Sequence, residues 1–299
     1  MKTIWIALWG MCWASVSWAQ PADTLQRIRD AGAVVMGVRD SSGAISYALG
    51  NGRYAGFQVE VCERVLQDIQ RKLELPRLDI RYQLVSASNR ITMVQNGTVD
   101  LECGSTTNNL ARQRDVAFSV TTMVEEVRIA VRADSGIQSV AHLNGKTVVT
   151  TVGSTSVQVL RRRQRDLGLG FTELQCRDHG ECFAMLESGR ADAFIMDSAI
   201  LAGNIARSRN PADFKIVGEA LSLEPIAIML RKGDEAFKQA VDESIKQMMR
   251  SGEMARLWSK WFEQPIPPSN VRVGMPLNEN TRLAWASPND RPKEAYPLR

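Results

Sequence analysis

The sequence predicts an α/β protein built as two similar lobes, and three observations carry that reading. Apolar runs of strand length alternate with helical periodicities along most of the chain. The block Met93-Val94-Gln95-Asn96-Gly97-Thr98-Val99-Asp100 is echoed by Met185-Leu186-Glu187-Ser188-Gly189-Arg190-Ala191-Asp192. Each copy reads as a helix end, a glycine and a short strand that opens into polar residues. Finally, the segment 216–231, with Ile216-Val217 and Ile226 to Leu230, is suited to carry the chain back from a second lobe to the first.

The elements follow in order. Met1-Lys2, the apolar stretch Ile4 to Trp13 and the small residues of Ser17-Trp18-Ala19 have the form of a secretory signal peptide (residues 1–19) cut after Ala19. The apolar part falls short of the roughly 20 residues a spanning helix needs, and Cys12 lacks the context of a lipid anchor. Thr24 to Asp30 reads as a helix ending at Gly32, and Ala33 to Val38 as a strand stopping at Arg39. Phe57, Val61, Val65, Ile69 and Leu73 recur at near-helical spacing, which makes 57–74 an amphipathic helix. Leu78, Ile80, Tyr82 and Leu84 alternate as a half-buried strand. Ser88 is the expected N-cap of a helix running to Asn96-Gly97. Strands at 147–151, 171–175 and 191–196 alternate with helices at 154–166, 181–188 and 198–207, a rhythm that argues for largely parallel sheets. Phe237, Val241, Ile245 and Met248 mark a later helix, and another, after Ser251-Gly252, carries Leu257, Trp258, Trp261 and Phe262. Both tryptophans read as core or lobe-surface residues. Pro265-Ile266-Pro267-Pro268 is expected to end regular structure, leaving an irregular strap against lobe one.

A net charge of +4 with acids and bases interspersed gives no reason to expect nucleic-acid binding. Arg161-Arg162-Arg163 with Arg165 is the one dense basic run, read as a solvated helix face. About 280 residues after cleavage suffice for two ordinary α/β domains. Four cysteines remain. In an oxidising compartment Cys176 and Cys182 are the favoured pair, closing a small loop around His179, while Cys62 falls on an apolar helix face and reads as a buried small hydrophobe. Their spacing is not that of zinc ligands, and only His142 and His179 offer imidazole, so neither a metal nor a cofactor is expected. His142, in Val140-Ala141-His142-Leu143, reads as a structural residue.

The polar candidates gather beyond the carboxyl ends of the strands, where open α/β sheets bind ligands. Arg39 follows the first strand. Ser105, Thr107 and Arg112 lie in Cys103-Gly104-Ser105-Thr106-Thr107-Asn108-Asn109-Leu110-Ala111-Arg112, whose hydroxyls, amides and planar guanidinium suit a carboxylate. Thr155 opens a helix after 147–151, His179 follows 171–175, Asp197 ends 192–196, and Arg90 sits in a first helical turn. Three arginines against one aspartate leave a cationic excess. A zwitterionic amino acid would strand buried guanidinium groups, at a cost that a second carboxylate removes. An acidic amino acid, glutamate or aspartate, is therefore expected.

Ser88-Asn89-Arg90-Ile91, Gln95-Asn96-Gly97-Thr98, Glu102 to Asn109, Asp178-His179-Gly180, Leu186 to Ala191 and Trp261-Phe262 with Pro265-Ile266-Pro267-Pro268 make the chain resemble the periplasmic amino-acid-binding proteins of ABC importers, specifically their glutamate/aspartate-binding branch. The resemblance implies a type II periplasmic-binding-protein clamshell with crossovers near 122–128 and 217–225. Lobe one would comprise 20–124 and 222–299, and lobe two 125–221. It implies a monomer without enzymatic activity that delivers its ligand to a membrane permease. Arg112, Ser105 and Thr107 would hold the α-carboxylate and Asp197 the α-ammonium. Thr155 would add a contact from lobe two, and Arg39, Arg90 and His179 would take the side-chain carboxylate. Ala87 departs from the pattern, standing where a relative has a hydroxyl; Ser86 and Ser88 flank it and offer a substitute. Two rival readings remain. One is an exported dehydratase using Asp178, His179 and Glu181 as acid/base groups. The other is an amino-acid-sensing module.

Overall fold

The computed structural model describes residues 23–298; the expected signal peptide, its cut after Ala19 and Cys12 lie outside them. Helix α1 (Thr24–Ala31) is capped by Asp23 and ends at Gly32 in the left-handed conformation, feeding β1 (Ala33–Val38). A small antiparallel sheet of β2 (Ser41–Ser42), β3 (Ser46–Gly50) and β4 (Arg53–Ala55) precedes α2 (Phe57–Lys72). The apolar stripe of α2 is buried at Phe57, Val61, Val65 and Ile69. Then come β5 (Asp79–Leu84), α3 (Arg90–Gln95), β6 (Leu101–Glu102), α4 (Leu110–Gln113) and β7 (Val116–Phe118).

The chain next runs through β8 (Met123–Arg132), β9 (Thr147–Thr151), α5 (Thr155–Leu167), β10 (Thr172–Cys176), α6 (His179–Glu187), β11 (Ala193–Asp197), α7 (Ser198–Arg207) and β12 (Phe214–Ile226), and returns in β13 (Met229–Arg231). One sheet has the order β5-β1-β6-β13-β7 and the other β10-β9-β11-β8-β12. Both are mixed rather than largely parallel. In the first, β13 is antiparallel to β6 and β7; in the second, β8 is antiparallel to β11 and β12. The reason is topological: two strands traverse from sheet to sheet in opposite directions and pair with each other, from Met123 opposite Ile226 to Arg132 opposite Phe214. Each sheet thereby receives a strand running against its βαβ neighbours.

Helix α8 (Glu235–Arg250) and α9 (Glu253–Trp258) cover the first sheet's side, where Phe57, Trp258 and Phe262 form an aromatic cluster with ring centroids 4.3–5.7 Å apart. The C-terminal region is more regular than the sequence suggests. After the hairpin of β14 (Pro265–Ile266) and β15 (Val271–Arg272), α10 (Glu279–Ala286) is capped by Asn278 and packs on the traversing ribbon. There the backbone N–H of Val124 donates to Thr281 Oγ1 at 2.9 Å, and Trp285 Nε1 donates to the carbonyl of Thr122 at 2.7 Å.

Cys62 is not a lone buried hydrophobe: it forms a disulfide with Cys103, joining α2 to the end of β6 with Cα atoms 6.3 Å apart. Cys176 and Cys182 are also joined, with Cα atoms 5.4 Å apart. Both separations lie in the range disulfides use. Among the described residues, no helix is long and apolar enough to cross a membrane, and no cluster of His, Cys, Asp and Glu is arranged to hold a metal.

Candidate functional site

Between the two sheets lies a narrow, nearly closed pocket of about 10 Å³ lined by Arg90, Ser105, Thr107, Arg112, Ser154, Thr155, His179, Met196 and Asp197. Seven of the eight residues expected at a ligand site therefore share one wall, together with Ser154, a donor that the helix-opening run Gly153-Ser154-Thr155-Ser156 offers, and Met196, which no sequence signal marks. The first-sheet side supplies Arg90 at the start of α3, Ser105 and Thr107 beyond β6, and Arg112 in α4. The second-sheet side supplies Ser154 and Thr155 at the start of α5, His179 at the start of α6, and Met196 and Asp197 at the end of β11.

Local structure fixes each group. Asn109 caps α4 by accepting from the backbone N–H of Arg112 at 2.8 Å. The Arg112 guanidinium then reaches the carbonyl of Thr107 at 2.8 Å and, across the cleft, that of Gly153 at 3.1 Å. Arg90 Nη2 approaches the same Gly153 carbonyl at 3.5 Å. Gly153 has φ +78°, and a Cβ there would lie 2.6 Å from the carbonyl oxygen of Ala87, so only glycine lets the two sides approach this closely. The N-cap position of α3 is Asn89 rather than Ser88; its side chain makes no capping bond to the helix and instead exchanges hydrogen bonds with Ser86, closing the turn that precedes it. Ser86 and Ser88 bond to one another at 2.9 Å outside the pocket, so neither stands in for a hydroxyl at Ala87.

Arg39 is placed differently from the expectation. It is 1% exposed, but it stands behind the wall, with Nη2 donating to His179 Nε2 at 3.4 Å. Its Nε and Nη1 find no partner among the described residues, nor does Nε of Arg90. His179 lies within α6 rather than in the preceding loop, because Asp178 caps that helix by accepting from the backbone N–H of Glu181 at 2.9 Å. Its Nδ1 faces Thr151 Oγ1 at 2.8 Å. With Nε2 accepting from Arg39, the imidazole is neutral and carries its proton on Nδ1. Burial, with Arg39 and Arg90 nearby, pushes its pKa well below the usual value, in agreement.

Buried carboxylates modify the simple count of three cations against one anion. Glu102, fully buried, accepts from Thr106 Oγ1 at 2.7 Å and exerts the largest stabilising field on Arg39. Glu224, also fully buried, accepts from Thr155 Oγ1 at 2.9 Å and pairs with Lys293. Glu125, directly opposite Glu224 in the β8–β12 ribbon, accepts from Ser198 Oγ at 2.7 Å and the backbone N–H of Ala199 at 2.8 Å. Burial raises the Glu125 carboxyl to about 7. With Arg39 set against Glu102 and Lys293 against Glu224, the wall keeps Arg90 and Arg112 against Asp197, its only carboxylate. Counting Asp197 as ionised, the surplus is one positive charge. Arg90 registers it most: burial and then the neighbouring Arg112 and Arg39 lower its pKa well below the ordinary value. Burial, with Glu224 and Glu125 beside it, raises Asp197 well above the usual carboxylate range.

Glu125 gives a pH signature. Its native carboxyl holds a proton to higher pH than in the unfolded chain, so stability is lost as pH rises from the ordinary carboxylate range through about 7. Glu125→Gln is expected to flatten that decline and to be the more stable protein above about pH 8, by about 3 kcal/mol at most. Urea unfolding across the pH range checks this.

The site offers fixed donors, two guanidinium groups and one carboxylate, an arrangement that grips a charged ligand rather than one that activates a nucleophile. Asp178 is occupied as a cap, and Glu181 accepts from the backbone N–H of Arg177 at 3.0 Å; neither lines the pocket, which leaves His179 as the one member there of the acid/base set a dehydratase would use.

Residues 34–264 match the model of the bacterial extracellular solute-binding proteins, family 3. The chain is 42% identical over 273 residues to the L-glutamate/L-aspartate-binding protein of Pseudomonas aeruginosa, covering 91% of this chain and 90% of that one. It is 38% identical over 275 residues to the glutamate/aspartate import solute-binding protein of Escherichia coli, covering 91% of each. The solute receptor for L-cysteine of Neisseria gonorrhoeae shares the fold, with a TM-score of 0.71 at 22% identity over 83% of this chain and 98% of that one. Fold and pocket are thus those of a two-lobed binding protein. The chain belongs to the family 3 bacterial extracellular solute-binding proteins.

Proposed function

We propose that this protein captures an acidic amino acid, glutamate or aspartate, between its two lobes in the periplasm and delivers it, as a monomer, to the permease of an ABC importer. The single observation that carries the reading is a pocket wall holding Arg90 and Arg112 against one carboxylate, Asp197. A ligand of net charge −1 with two carboxylates and one ammonium complements it. Arg112, Ser105 and Thr107 would receive the α-carboxylate, Asp197 the ammonium, and Thr155 a contact from the second side. Arg90 would take the side-chain carboxylate, with Arg39 and His179 backing that end. The ammonium supplies the charge that favours an ionised Asp197 in a site where burial opposes it. The names of the Pseudomonas and Escherichia relatives support the same ligand class.

Closure follows from the same contacts. Groups from both sheet sides touch one small ligand, so the ligand stabilises the closed arrangement by contacts it cannot make in an open one. The test is to denature freshly purified protein and identify the released amino acid by mass spectrometry. Glutamate or aspartate is expected; a neutral or basic amino acid contradicts the proposal.

A further inference from the structure

The C-terminal segment acts on the pocket wall at one remove, through a side chain that contacts Glu224, the partner of Thr155. The segment beyond α10 lies along the first-sheet side. The backbone N–H of Lys293 donates to the carbonyl of Asn108 at 2.8 Å, Asn108 Nδ2 to that of Asp290 at 2.9 Å, and the N–H of Leu110 to Glu294 Oε2 at 3.1 Å. From this anchored backbone Lys293 Nζ extends to Ser222 Oγ at 3.2 Å and pairs with Glu224. Glu224 is fully buried, and its other oxygen holds Thr155 Oγ1, a group on the pocket wall. Glu224 also faces Glu125 across the ribbon, and like charges directly opposite on a sheet repel.

We propose that Lys293 is a positioning residue for ligand binding: its ammonium neutralises Glu224, which keeps Thr155 oriented and leaves Asp197 free to meet the ligand's ammonium as a carboxylate. The proposal rests on the assignment of Asp197 to that ammonium. The groups that act on Asp197 come from every side of it: Glu224 on β12, Glu125 on β8, Lys293 on the C-terminal segment, Arg112 in α4, and Arg90 and Arg39 from the first-sheet side, with neutral His179 sharing the wall. Glu224 is the strongest charged influence holding the Asp197 proton on, and Lys293 the strongest pulling it off. Without Lys293, two buried carboxylates would compete to be the ionised one, and the balance at Asp197 would move towards its protonated form.

The experiment is calorimetric titration with glutamate of the wild type, Lys293→Met, Lys293→Arg, the double variant Lys293→Met/Glu224→Gln, and Asp197→Asn. Thermal melts confirm that each is folded. Lys293→Met is expected to weaken binding roughly tenfold near neutral pH and to recover in part as the pH is raised, which favours the ionised form of Asp197. Lys293→Arg retains most of the affinity. Glu224→Gln in the double variant removes the excess negative charge while its amide oxygen still accepts from Thr155, and it restores affinity to near wild type. Wild-type affinity in Lys293→Met overturns the proposal. So does a loss that neither Glu224→Gln nor higher pH relieves, since that marks a purely structural strap. Asp197→Asn separates the two levels. Loss there with a normal Lys293→Met overturns the role of Lys293 alone, whereas normal binding in Asp197→Asn overturns the ammonium assignment and the proposal with it.

Discussion

Arg112→Ala is expected to abolish measurable amino-acid binding, whereas Arg90→Ala leaves binding but erodes the preference for acidic ligands. The two arginines share a wall and differ in what each side chain does. Arg112 is oriented from its own helix cap, bonds the carbonyl of Thr107 at 2.8 Å and latches onto Gly153 across the cleft at 3.1 Å. Removing it takes away the fork that would meet the α-carboxylate common to every amino acid, and also the bond that joins the two sides. Truncating one partner of a buried, hydrogen-bonded charge pair costs about 2–5 kcal/mol, roughly thirtyfold to several thousandfold in Kd. Arg90 makes only the longer contact to Gly153, and its guanidinium is the least stabilised of the three. Its loss removes the surplus charge that distinguishes a second carboxylate from an amide. Titration of both variants with glutamate and glutamine checks this. Wild-type affinity in Arg112→Ala would show the carboxylate assignment to be wrong.

The second large effect is on stability. Replacing Cys62 and Cys103 together by alanine removes a cross-link between positions 41 residues apart. Closing a loop of that length restricts the unfolded chain by about 4 kcal/mol on the chain-entropy model. The same cross-link ties the end of β6, where the backbone N–H of Cys103 donates to the carbonyl of Gly37 at 2.8 Å, to the core of α2. Ser105 lies two residues beyond. Chemical denaturation under non-reducing conditions is expected to show the double variant less stable by several kcal/mol. An unchanged midpoint would mean that the bridge is dispensable to the fold.

Period and punctuation were legible in the residues. The stripe from Phe57 to Ile69, the left-handed Gly32 and the strands expected at 33–38, 78–84, 147–151, 171–175 and 191–196 stand within two residues of where the pattern puts them. The guanidinium groups and Asp197 were legible as a converging set because strand ends in an open sheet face one crevice. What escaped was long-range pairing. Cys62 and Cys103 meet only because α2 packs beside the end of β6, which no local pattern encodes. The sequence implies two crossovers but not that they pair as an antiparallel ribbon, so it does not place Glu125 opposite Glu224. The run Leu221-Ser222-Leu223-Glu224-Pro225-Ile226 does contain a signal, a lone charge in an apolar stretch, and such a residue asks for a buried partner. That partner, Lys293, sits 69 residues away in a segment expected to be an irregular strap. Arg39 shows the converse limit. Its strand end was read correctly, but whether a side chain faces the pocket or backs the residue that does is decided by packing.

On the proposed reading, a surplus of one positive charge on the pocket wall selects an acidic ligand. Calorimetric titration of refolded, ligand-free protein with glutamate, aspartate, glutamine and asparagine measures that selection directly. Strong binding of at least one acid is expected, with its amide weaker by about a hundredfold, the worth of one or two charge-assisted hydrogen bonds. Equal affinity for glutamine and glutamate would contradict it.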